Sequence, residues 1–219
     1  MRRITSINNI IGLTTLLLLL SFSYQKSQAG KIQVQWEDEL KGDFSFTSDW
    51  SYAENIFVSQ PHGELVCDGW CPEGVEEMRL KDGRIDPKQK NAYYALVDTT
   101  HRFHSFEGKA VSYEYGGTHF ATCKQDEEGK IVVETEANVG THCSLIIPIE
   151  GDNCIPKIHF VSIRNIPEVY YPCNGGWITV SRSHWKKDIF RAQFHFTFWD
   201  EENGKELMWE GKIHTPIQP

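Results

Sequence analysis

Four histidines stand beside breaks in the chain where an imidazole could meet a metal. His101 and His104 lie in Thr-Thr-His-Arg-Phe-His-Ser, His119 follows Gly116-Gly117, and His142 follows Gly140 by two residues. Neutral imidazoles ligate zinc or copper, and three of them with an open fourth position make a hydrolytic centre. On an extended segment His101 and His104 point to opposite faces, so they share a metal only where that stretch turns. No complete metal motif accompanies them. The expectation is therefore no cofactor and scattered rim histidines, with zinc or copper in a metal-dependent hydrolase as the alternative.

Six cysteines, Cys67, Cys71, Cys123, Cys143, Cys154 and Cys173, are the second set. An even number in an exported chain predicts disulfides, and six allow 15 connectivities, so the pairing stays open. Cys67-Asp-Gly-Trp-Cys71 could close a small ring around a turn. Its combination with His101 and His104 as a zinc finger is the weaker alternative, because His-x2-His is tight for such a site. His142-Cys143 is no catalytic dyad, since neighbours on a strand face opposite ways.

Other catalytic patterns are missing. The chain has no Gly-x-Ser-x-Gly, no His-Glu-x-x-His and no phosphate loop. Asp98, Glu114, Glu134 and Glu136 could supply a glycosidase pair, which requires two carboxyls facing across a cleft. Glu134 and Glu136 share one strand face, as residues of a solvated outer surface also would.

Aromatic side chains suit binding better. Of seven tryptophans, Trp36 and Trp209 fit alternating core patterns, whereas Trp70, Trp177, Trp185 and Trp199 fall in or beside turns. Exposed indoles stack on sugars or anchor a protein partner, and buried ones cap a core. Trp70, Trp177, Trp185 and Trp199 are accordingly the candidate ligand-binding residues.

These residues must be positioned by strands. Ile32, Val34 and Trp36 alternate with polar neighbours, and short strands are expected at 43–46, 55–58 and 63–67. From Cys71 to Val97 the pattern turns helical, with Pro72 and Asp86-Pro87 as start signals and Lys81-Asp82-Gly83 as a break. Beyond Thr100 the strands recur: Val111–Tyr115, His119–Lys124, Lys130–Ala137, Cys143–Ile149, Ile158–Ile163 and Trp177–Ser181. Tyr170-Tyr171-Pro172 reads as a strand ending at proline. The clearest pair is the last. Phe190, Ala192, Phe194, Phe196 and Phe198 face one way, Glu202-Asn203-Gly204 turns the chain, and Leu207, Trp209 and Ile213 answer. The fold class is all-β, an antiparallel β-sandwich or barrel-like sheet with a short helical insertion around 72–97.

The first 29 residues read as a secretory signal peptide. Arg2 and Arg3 precede an apolar run from Ile10 to Leu20, and Ser27-Gln28-Ala29 offers a cleavage site. The run is too short for a membrane anchor, which needs about 20 residues. Cleavage leaves 190 residues, 30–219, as one all-β domain, secreted or periplasmic, without a membrane span. Loss of Arg2, Arg3 and Lys26 takes the formal charge from -8 to -11. That balance speaks against nucleic-acid binding. Arg182, Lys186, Lys187 and Arg191 form a local basic spot of solvated turn residues.

The final hairpin with its closing Trp-Glu-Gly-Lys-Ile, and Cys67–Cys71 followed by Asp98-Thr99-Thr100-His101, resemble small exported all-β proteins of Gram-negative bacteria that lack an assigned activity. The resemblance implies fold and compartment and carries no catalytic residues. The function expected is an exported, non-catalytic binding or structural module with a carbohydrate or protein partner.

Overall fold

The computed structural model describes residues 30–53, 56–59, 64–67, 71–97, 99–138, 140–162 and 167–219, with backbone alone at 56–59 and 64–67. The signal segment, Trp70 and the side chain of Cys67 lie outside the described residues.

Strand β1 (Ile32–Glu37) keeps its alternation, with Val34 buried, Trp36 half-buried and Gln33 and Gln35 exposed. The strand expected at 43–46 is replaced by a 3-10 turn at Ser45–Ser48. There the Asp43 carboxylate accepts from the Ser45 N–H at 2.8 Å, and the Thr47 and Ser48 hydroxyls donate back to carbonyls. Such local bonds offer the backbone an alternative to a ladder. Two small ribbons follow. β2 (Trp50–Tyr52) pairs with β5 (His101–Phe103), and β3 (Ile56–Ser59) pairs with β4 (Glu64–Cys67).

The helical insertion holds 3-10 turns at Glu76–Met78 and Pro87–Gln89 and one helix, Lys90–Leu96. Asp86 caps as its sequence predicts, accepting from the Lys88 N–H at 2.9 Å. Val75, Tyr93 and Val97 make a core of their own.

The remaining strands are β6 (Phe106–Val111), β7 (Ala121–Gln125), β8 (Ile131–Thr135), β9 (Cys143–Glu150), β10 (Asn153–Cys154), β11 (Lys157–Phe160), β12 (Val169–Ser181), β13 (Ile189–Asp200) and β14 (Lys205–Gln218). Most of them close into an eight-stranded barrel, the barrel-like form of the expected all-β fold. The ring runs β9, β11, β12, β13, β14, β7, β8 and back to β9, with β6 beside β7 on the same edge of β14. The two longest strands make closure possible by each accepting two partners in succession on one edge. β14 pairs with β6 over Met208–Ile213 and then with β7 at Ile217 and Gln218. β12 pairs with β11 over Val169–Pro172 and then, in parallel, with β1 over Ile178–Ser181. Staggered partners of this kind give a sheet the shear a barrel requires.

Two boundaries differ from expectation. Pro172 does not end its strand, because β12 continues through a bulge between Cys173 and Gly175 to Ser181. Tyr113 and Tyr115 leave the ladder for a turn at Glu114, whose φ is +46°. Tyr113 then donates to Asp200 at 2.7 Å, and the Tyr115 ring packs 4.9 Å from Trp209.

Alternation on β13 is complete: Phe190, Ala192, Phe194, Phe196 and Phe198 point inward with Leu207, Trp209 and Ile213 of β14. Together with Phe106, Leu145, Ile147 and Ile158 they fill the barrel as one continuous core. Cys123, Cys143, Cys154 and Cys173 belong to it as free thiols, which corrects the expected disulfide framework. Each takes an inward position and packs as a small apolar side chain. Burial pushes Cys123 and Cys154 up to about 12, and Cys143 and Cys173 to about 11. Cys71 is disulfide-bonded; the expected ring with Cys67 falls on side chains outside the described residues.

Candidate functional site

Because the barrel is filled, its outward positions carry the polar side chains that could meet a ligand. On β12, β13, β14 and β6 they fall into two rows across the strands. Trp177, His195, Glu210 and Lys109 are successive cross-strand partners, and so are Thr179, Gln193, Lys212 and Glu107. Residues of one sheet face at paired positions are close enough to interact directly.

The first row is a connected chain. His195 donates from Nδ1 to Glu210 Oε2 at 2.9 Å, and Glu210 Oε1 meets Lys109 Nζ at 2.9 Å. The hydrogen bonds from Lys109 first and His195 second hold the Glu210 carboxyl below its usual range. With Nδ1 taken by Glu210, Nε2 remains as the second polar atom of the His195 ring. Trp177 stands at the end of this row, 44% exposed. The second row is tied to the segment that follows β1. Gln193 donates to the Lys41 carbonyl at 2.8 Å, and Lys212 donates to the Asp43 carbonyl at 2.7 Å and meets Glu107 at 3.2 Å. Between the rows runs a groove of about 740 Å³, its floor formed by Gly108, Phe194 and Gly211.

A second hollow of about 570 Å³ lies along β6 and holds His104 and His119 with Asp49, Tyr115 and Thr118. Their imidazoles stack with centroids 4.2 Å apart and 6° between planes. A third, about 370 Å³, is lined by Glu134, Glu136, His142, Ser144 and His159. Glu136 there is held by Arg102 in a bidentate ion pair, and Glu134 accepts from the Ser144 hydroxyl at 2.9 Å.

The four expected metal histidines are therefore divided. His104 and His119 come together. His101 stacks on Trp50 at 4.1 Å, and His142, 8% exposed, lies 3.6 Å from the Glu114 carboxylate. Among the described residues no group of three or more His, Cys, Asp or Glu side chains is placed to hold a metal.

The tryptophans divide too. Trp177 lines the groove, and Trp199 is equally exposed but outside it. Trp185 packs edge-on against Trp36 at 5.0 Å and near Phe190, so it caps the core. Of the basic spot, Arg191 is half-buried, with its guanidinium 3.8 Å from the centroid of the Phe44 ring. His195, Glu210, Lys109, Gln193, Lys212 and Glu107 were not singled out by residue type. The four-residue loop 201–204 between the pair Asp200 and Lys205 sets His195 opposite Glu210, whereas a turn of Glu202-Asn203-Gly204 alone would put it opposite Gly211.

No protein-family model matches the chain, and neither a curated protein nor a solved structure matches it. Among the described residues no helix is long and apolar enough to cross a membrane.

Proposed function

We propose that this protein is an exported, non-catalytic binding module that holds a carbohydrate in the groove on the outer face of β12, β13, β14 and β6. The observation that carries this reading is the exposed Trp177 at the head of the row His195, Glu210 and Lys109. An indole face takes the C–H face of a sugar ring, and hydroxyls need acceptors beside it. The Glu210 and Glu107 carboxylates supply those acceptors, and His195 Nε2 a further polar atom, within one groove. A filled barrel interior supports an external site over an internal one.

The test is calorimetric titration of the mature protein with soluble oligosaccharides of several linkages, for wild type and Trp177→Ala. Saccharide binding that weakens at least about tenfold in Trp177→Ala, equivalent to about 1.4 kcal/mol, supports the reading. Binding that survives Trp177→Ala unchanged, or no binding by any saccharide, overturns it.

A further inference from the structure

The segment between β1 and the Ser45–Ser48 turn lies as a strap across the outward side chains of β13 and β14. Its ends are fixed by backbone bonds, Ser183 N–H to the Asp38 carbonyl at 3.1 Å and His104 N–H to the Asp49 carbonyl at 2.9 Å. Leu40, Phe44 and Phe46 form a separate small apolar cluster along it. Its middle is held by the two groove side chains, Gln193 and Lys212, and by the Phe44 ring over Arg191.

Arg191 is seated by a histidine. Its Nη1 lies 3.3 Å from His184 Nε2. A guanidinium can only donate, so His184 Nε2 must accept, and the ring must be neutral. Its Nδ1–H is then directed to the Ser181 hydroxyl at 2.9 Å. His214, the cross-strand partner of Arg191, stands 5.8 Å from His184 and 6.5 Å from Phe44.

We propose that His184, supported by His214, is an acid-operated latch that holds the strap closed over the end of the carbohydrate groove and releases it when protonated. A proton on His184 Nε2 would face the Arg191 N–H directly. Arg191 then loses its seat beneath Phe44, the strap lifts, and Gln193 and Lys212 are freed into the groove. The importance of the released side chains rests on the groove being the binding site; the latch itself does not.

The charges facing the latch act in both directions. Burial, then Arg191 and Lys187, lower the His184 pKa, and Glu39 on the strap opposes them. Burial, then Arg191 and His184, lower that of His214. Arg182 meets Asp38 at 3.5 Å, and Lys212 sits 5.9 Å from the Phe44 ring while paired with Glu107. A histidine that must stay neutral in the closed state strengthens closure above its ordinary 6.5 and weakens it as pH falls below that value.

Hydrogen exchange at pH 7.5 and pH 5.5, corrected for intrinsic rates, reads this without a ligand at the amides bonded to the strap and its turn: Ser183 on the Asp38 carbonyl, Thr47 on Phe44, Asp49 on Phe46 and His104 on Asp49. Wild type should lose protection at the lower pH, by up to about tenfold, the limit for one imidazole one unit below its open-state value that stays neutral when closed. His184→Gln keeps an acceptor for Arg191 without titrating, and should hold its protection at both values. Phe44→Ala should be unprotected at both. A wild-type strap equally protected at pH 5.5, or the same loss in His184→Gln, overturns the latch. Saccharide titration at pH 7.5 tests the groove separately, so either conclusion can fail alone.

Discussion

Gly108 on β6 and Gly211 on β14 stand directly opposite each other, and the Phe106 ring lies over both. A Cβ on Gly108 would come 2.6 Å from Phe106 Cζ and 3.0 Å from the Gly211 Cα. One on Gly211 would come 2.9 Å from the Gly108 Cα and 3.1 Å from Phe106 Cε2. The two glycines leave the space that Phe106 fills, and they form the floor of the groove outside. Gly108→Ala and Gly211→Ala should each destabilise by about 1–3 kcal/mol through overpacking. Urea unfolding of the variants measures this; because the Glu210 and Glu107 backbone carbonyls lie closer to the added Cβ atoms than Phe106 does, a midpoint equal to wild type would mean that the β6–β14 ladder itself shifts.

Trp177 and Trp199 are equally exposed, yet only Trp177 lines the groove. Trp199→Ala should leave both stability and saccharide affinity at the wild-type level. Trp177→Ala should keep stability, because its ring points outward, and lose affinity. Parallel thermal melts and titrations of the two variants separate position from mere indole content.

Asp200 is buried at the end of β13, where it accepts from the Tyr113 hydroxyl at 2.7 Å, from the Asn203 side-chain amide at 2.8 Å and from the backbone N–H groups of Glu202 and Asn203. Burial works to raise its carboxyl, but hydrogen bonds from Asn203, Tyr113 and Glu202 outweigh it and hold the pKa below 3.8. A carboxylate lowered in the folded state adds stability above its unfolded value and loses it as pH falls through the folded one. Wild type should therefore lose stability below about pH 4, and Asp200→Ala should lose about 1–3 kcal/mol at neutral pH. The variant should also show a flatter acid limb in denaturant titrations from pH 7 to pH 2.

Cys123, Cys143, Cys154 and Cys173 are free and buried with raised pKa values. The native protein should react negligibly with a thiol reagent at pH 8, since thiolate and access are both lacking. The same non-reduced protein in guanidinium should release these four thiols. A count below four would mean that pairs form among them.

The strongest signals in the chain were those with a short period. The run Phe190, Ala192, Phe194, Phe196 and Phe198 is buried residue for residue on β13. Period-two burial needs no knowledge of the partner strand. Asp86-Pro87 likewise acts where it stands, because a cap bonds to its own turn. Val111, Tyr113 and Tyr115 carry the same alternation but not the same structure, since Tyr113 has a better partner in Asp200 than a ladder position offers. The cysteine framework held only in part. Cys71 is disulfide-bonded, whereas Cys123, Cys143, Cys154 and Cys173 are buried in the core as free thiols, which composition and compartment do not reveal.

By itself the sequence determined an all-β chain, a final aromatic hairpin and a short helical insertion, because each is written in local alternation, turn chemistry and caps. Only the tertiary structure decided that the sheet closes into a barrel, since closure depends on β12 and β14 each taking two partners. It alone joined Trp177, His195, Glu210 and Lys109 into one row, and Phe44, Arg191, His184 and His214 into another cluster. His195 and Glu210 share one hairpin and His184 and Arg191 lie seven residues apart, but Trp177, Lys109 and Phe44 come from distant stretches of chain. Those distant side chains meet the rest only through strand register and the packing of a loop on a sheet, and neither is contained in the spacing of residues along the chain.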